Sequence, residues 1–141
     1  MNLLLKNQLK YFNSKYEVIA ISSPGEDLSQ VKDREGVRVI PLYIAREIHL
    51  LKDLYTLLKI IFILSVEKPV IIHSNTPKSS LLSMLAGYIL RIPLRIYTIT
   101  GLRYEGCSGF KRKILIYLEK ATCFFSTHIL SESIGVQKKV I

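Results

Sequence analysis

The chain has 141 residues, 49% hydrophobic and 22% charged. That is enough apolar material for one domain with a sizeable core, too little length for two typical domains, and a composition that excludes disorder. The 20 basic residues against 11 acidic ones leave a formal charge of +9, which either favours an anionic partner or describes a solvated basic surface.

From the N-terminus, Leu3 to Asn13 reads as a helix, with Leu4, Leu5, Leu9 and Phe12 at helical spacing. Its apolar start is too short for a signal peptide and is interrupted by Lys6. Val18 to Ile21 is a compact strand stopped by Ser22-Ser23-Pro24-Gly25, and a short polar helix follows to Glu35. Gly36 turns into the strand Val37 to Ile40, ended by Pro41. Leu50 to Val66 is a longer helix closed by Lys68 and Pro69. Val70 to His73 is a buried-type strand, and Pro77 opens a helix to about Leu90. Leu94 to Ile99 is a strand, a basic helix covers Gly109 to Cys123, and Thr127 to Leu130 is the last strand. The most apolar stretches, Leu57 to Val66 and Leu81 to Leu90, fall well short of the roughly 20 residues that span a bilayer. The expectation is a cytoplasmic chain, not integral to a membrane but able to lie peripherally on its inner face. The cysteines Cys107 and Cys123 lack CxxC spacing and fit a reducing compartment.

Alternating strands and helices predict an α/β fold, a Rossmann-like doubly wound and mostly parallel sheet. Such a sheet normally opens on a central strand and a ligand-facing loop. Here a helix comes first, so the opening strand reads as missing, by truncation or by rearrangement.

Ligands of open α/β sheets bind at the carboxyl ends of the strands. The rule selects Ser22 to Gly25, His73 to Lys78, Thr100 to Glu105, and Ser131 to Ser133. The second stretch puts an imidazole, hydroxyls, an amide and the Lys78 ammonium at a helix N-terminus, which attracts anions; ordinary helix capping accounts for the same residues. Gly101 permits close backbone approach, with Arg103 and Glu105 beyond it as ligand groups or as a surface ion pair. The helix bearing Lys111, Arg112, Lys113 and Lys120 has an apolar side suited to an anionic membrane, or is a plain basic surface helix. There is no GxGxxG, no phosphate loop, no HExxH and no GxSxG. No nucleic-acid-binding pattern accompanies the charge, so no nucleic-acid partner, metal or cofactor is expected.

The run His73-Ser74-Asn75-Thr76-Pro77-Lys78 followed by Leu81 to Ala86 resembles the HSHTPKAGLLGMLAA signature of family 4 glycosyltransferases. Ile92 to Glu105 resembles that family's VPVRIYTVHGLRFE, and Lys111 to Leu115, Leu118 to Lys120 and Ile129 to Ser133 match further segments in order. Pro41, Arg46 and Lys52-Asp53-Leu54 resemble an upstream motif. The resemblance covers residues 16 to 135 and points to the subgroup that builds bacterial surface polysaccharides on lipid carriers.

The resemblance implies half of a GT-B fold, two Rossmann-like domains facing across a cleft. It makes residues 1–141 a single partial, acceptor-side domain, without the C-terminal domain that holds the nucleotide-sugar donor. The family reaction transfers that sugar, with retention and generally without metal, to a lipid-linked or saccharide acceptor. Cleft candidates on this chain are His73, Thr76, Lys78, Thr100, Gly101, Arg103, Glu105 and Ser131. Lys78 and Arg103 would attract acceptor phosphate, and His73 and Thr76 would orient hydroxyls. Thr100 stands where the family often has histidine, so no catalytic residue carries over. The chain alone is expected to be inactive. The alternative is a non-catalytic basic module, or one subunit of a split transferase, at the inner membrane; a phosphate-binding α/β enzyme of another family ranks third.

Overall fold

The computed structural model describes residues 7–45, 49–100, 106 and 108–131. The chain divides into two compact units, Met1–Glu47 and Ile48–Ile141.

The first unit runs α1 (Gln8–Asn13), β1 (Ile19–Ser22), α2 (Glu26–Glu35) and β2 (Arg38–Pro41). β1 and β2 pair in parallel, with Ala20 opposite Val39, and α2 is their crossover. α2 stops because Gly36 takes the left-handed conformation, φ 65°, and its N–H closes on the Lys32 carbonyl at 2.9 Å. Ala20, Val31 and Val37 form the buried core, packed by Leu9, Val18 and Val39. A carboxylate holds the start of α1. Glu35 accepts the N–H groups of Asn7 and Lys10, each at 3.0 Å, and the Arg34 Nε–H at 2.7 Å. These donors stabilise the charged form, Arg34 most, and bring the Glu35 pKa down to about 2.

The second unit runs α3 (Leu50–Glu67), β3 (Ile71–Ser74), α4 (Pro77–Ile89), β4 (Leu94–Ile99), α5 (Gly109–Phe125) and β5 (His128–Ser131). β4 lies between β3 and β5, parallel to both, with Ile72 opposite Arg95 and Tyr97 opposite Ile129. α4 and α5 pack on each other and on β4, and α3 packs on α4. Gly87 lets α4 approach this sheet. A Cβ there would stand 2.7 Å from Ile72 Cδ1 and 2.9 Å from Arg95 Cδ. Arg95 is itself held, donating to the carbonyls of Phe125 at 2.7 Å and Ile92 at 2.5 Å, with its guanidinium 5.7 Å from the Tyr88 ring centroid. On the same face, buried Tyr97 donates its hydroxyl to Glu119 at 2.7 Å. Burial raises the pKa of both groups and pushes the Cys123 thiol up to about 11.

Among the described residues every strand pairing is parallel, and α2, α4 and α5 connect the paired strands, as an α/β Rossmann-like fold requires. The pairings form two sheets, β1-β2 and β3-β4-β5. Elements expected from sequence recur with ends shifted by a residue or two, the largest shift being α5, which runs on to Phe125. Of the expected first helix, residues 3–6 lie outside the described residues.

Gly87→Ala should lower stability by about 1–3 kcal/mol through overpacking against Ile72 and the tethered Arg95. A urea midpoint equal to that of the parent at unchanged slope would refute the close approach. For Glu35, the folded pKa lies below the usual 4.5, so its contribution is present above that pH and fades as pH falls towards about 2. The stability difference between the parent and Glu35→Gln should shrink across that window. A constant difference would refute the assignment.

Candidate functional site

Parallel strands bring their carboxyl ends to one edge, so β3, β4 and β5 end together at Ser74, Ile99 and Ser131. Tyr97 is the register partner of Ser74, and Ile99 that of Ser131. The expected residues His73, Thr76, Lys78, Thr100 and Ser131 all lie at or just beyond this edge. Gly101, Arg103 and Glu105 lie outside the described residues, as do Arg46, Cys107, Glu132 and Ser133.

Successive strand side chains point to opposite faces, and that alternation divides the edge. Ile72 is buried beside Gly87 of α4, so His73 points to the other face. There its Nε2 lies 2.8 Å from Thr98 Oγ1, a hydrogen bond whose direction follows the ring tautomer. The ring keeps an exposed edge, yet partial desolvation lowers its pKa below the usual 6.5. At neutral pH it is an uncharged donor and acceptor.

Ser74 faces α4 and begins a hydroxyl cluster. Its Oγ accepts from Ser80 Oγ at 3.0 Å and lies 3.3 Å from Ser79 Oγ, which in turn contacts Thr76 Oγ1. Thr76 is the residue before α4, in extended conformation, but its side chain makes no capping bond. Its hydroxyl is turned to Ser79 instead, so simple side-chain capping does not describe it. Thr100 Oγ1 lies 3.5 Å from the Asn75 carbonyl, across the loop.

Lys78 takes a course the sequence did not announce. Its ammonium lies 2.7 Å from Asp53 of α3, with 13% and 18% of the two side chains exposed. The positive charge expected to draw acceptor phosphate is offset by this carboxylate. Asp53 also accepts the His49 N–H at 3.0 Å, capping α3. Thr98 and Asp53 were missed because strand pairing and helix packing bring them in from 25 positions away, and Ser79 and Ser80 because their hydroxyls turn back on Ser74 and Thr76 within the first turn of α4.

Chemically, this edge offers a neutral imidazole and several hydroxyls, a set suited to hydrogen-bonding polyols. Among the described residues, no group of three or more His, Cys, Asp or Glu is placed to hold a metal ion.

The model of the Glycosyl transferase 4-like family matches residues 1–133. The chain belongs to that family. It is also 40% identical over 139 residues, 98% of its own length, to the capsular polysaccharide biosynthesis glycosyltransferase CapM of Staphylococcus aureus. The chain spans about a third of that relative, 36% of its length. The matched region takes in β1 to β5 and so the whole polar edge, and the parallel α/β architecture agrees with one Rossmann-like half of a GT-B fold.

His73 titration tests the electrostatics of this edge. Because its folded pKa is depressed, its contribution to stability is complete above about 6.5 and is lost as pH falls through the lower, folded value. An NMR titration of the His73 ring should give a midpoint below 6.5. A midpoint at or above that value would refute the partial desolvation of the ring.

Proposed function

We propose that this chain is the acceptor-side half of a glycosyltransferase of surface polysaccharide synthesis, and that the carboxyl edge of β3, β4 and β5 receives the acceptor. The observation that carries this reading is the coincidence of a family match over residues 1–133 with a neutral, hydroxyl-rich strand edge. In it, His73 and Thr98 orient a saccharide hydroxyl on one face of the sheet. Thr76, Thr100 and Ser131 line the rim, and Gly101, Arg103 and Glu105 follow Thr100 in the sequence. With Lys78 neutralised by Asp53, Arg103 becomes the better candidate for acceptor phosphate. The acceptor is a lipid-linked or free saccharide, and the donor is a nucleotide-sugar.

Transfer needs donor and acceptor held together in an oriented, water-poor cleft. The matched relative is nearly three times as long as the region it shares, so we assign donor binding to sequence beyond that region. The setting we infer is the cytoplasmic side of the membrane, with the chain peripheral to it.

The test uses a water-soluble, short-chain prenyl diphosphate sugar. The 141-residue chain should bind it, and His73→Ala or Thr98→Val should weaken binding about tenfold, the scale of one lost hydrogen bond. Radiolabelled sugar transfer by the same chain should not exceed a boiled control. Unchanged affinity in both variants would remove the acceptor site from this edge, and turnover would refute the half-enzyme reading.

A further inference from the structure

The helices of the second unit carry a surface that the proposed sugar chemistry does not use. α3 buries Thr56, Ile60 and Leu64. On the opposite side, Leu51, Leu54, Tyr55, Leu58, Phe62 and Val66 recur at three- and four-residue spacing and are 54% to 85% exposed. A solvated helix ordinarily turns its polar face outward, so this arrangement is inverted. Lys52 and Lys59 flank the stripe, and Lys59 Nζ lies 4.6 Å from the Tyr55 ring centroid. α5 repeats the design: Phe110, Tyr117 and Phe124 are each more than 70% exposed, with Lys113 and Lys120 exposed beside them.

The acidic side chains of these helices stay away from both stripes. α4 has none, Asp53 is engaged by Lys78, Glu119 is buried against Tyr97, and Glu67 sits on the inner side at the end of α3. Among the described residues, both surfaces are therefore apolar with cationic and no acidic side chains. No described helix is long and apolar enough to cross a membrane.

We propose that the outer stripe of α3, seconded by that of α5, docks this chain on an anionic phospholipid surface, with α3 lying in the headgroup plane. Apolar and aromatic side chains enter the acyl boundary while flanking lysines stay with the phosphates. Charge complementarity selects this occupant over a second copy of the chain, which would set like-charged lysine rows against each other. The proposal deepens the membrane-side setting inferred above by naming the surface. It uses none of the residues at the strand edge.

The chain has no tryptophan, so Phe62→Trp is a clean reporter. With vesicles of equal parts phosphatidylglycerol and phosphatidylcholine its emission should shift blue and be quenched by brominated acyl chains. Neither change should occur with phosphatidylcholine alone, and Tyr16→Trp in the first unit should show neither with any vesicle. The pair Leu58→Glu and Phe62→Glu should lower vesicle partition about tenfold or more while leaving the unfolding midpoint in place, since both side chains are exposed. Unchanged Phe62→Trp emission on anionic vesicles overturns the proposal, as does undiminished partition of the double variant. A blue shift that needs no lipid and grows with protein concentration overturns it in favour of self-association. The vesicles contain no glycolipid, so this result and the acceptor-binding result fail independently.

Discussion

Parallel pairing of β4 with β3 on one side and β5 on the other is the constraint on which the second unit depends. Parallel strands cannot be joined by tight turns, so each must be followed by a crossover long enough to return the chain. α4 and α5 are those crossovers, and both pack against β4. Once the three strands run the same way, their carboxyl ends share an edge. The close seat of α4 at Gly87 and the buried Tyr97–Glu119 bond hold the helices to one face. The polar edge is thus a consequence of topology before it is a matter of chemistry.

Much of that topology was legible in the sequence because it is written in local patterns. Short β-branched runs marked β3 and β4. Pro77 marked the first residue of α4, and Gly36 marked the end of α2. The positions that escaped reading depend on distant partners. Asp53 and Lys78 are separated by 25 positions, as are His73 and Thr98. Whether His73 faces α4 or turns away is set by a one-residue phase of the strand, which a four-residue apolar run does not specify. The capping of α1 by Glu35 joins residues 28 positions apart and carries no motif.

The division of the strand edge into two faces matters for how its residues act. His73 and Thr98 belong to one face, while Ser74 and the hydroxyls of Ser79 and Ser80 belong to the α4 side. The sequence presents His73 to Lys78 as one contiguous motif, but the fold distributes it among three surroundings: an open strand face, a hydroxyl cluster, and an ion pair with α3. A contiguous signature is not therefore a contiguous site. Within one motif, successive positions thus meet an open strand face and fold-holding contacts.

Arg95 shows how a charged residue becomes fixed for reasons unrelated to its charge. Its guanidinium sends separate N–H groups to the carbonyls of Phe125 and Ile92 and rests over Tyr88, in a unit where carboxylates are few. A lysine would keep the charge but lacks the planar fork that reaches two carbonyls in different directions. Natural variation at this position should consequently be read by geometry. Drift from arginine to lysine, neutral in most substitution schemes, would remove the side-chain tie to the end of α5 and leave only the backbone bonds with Thr127, whereas exchanges among the exposed lysines of the same helix need not disturb the fold.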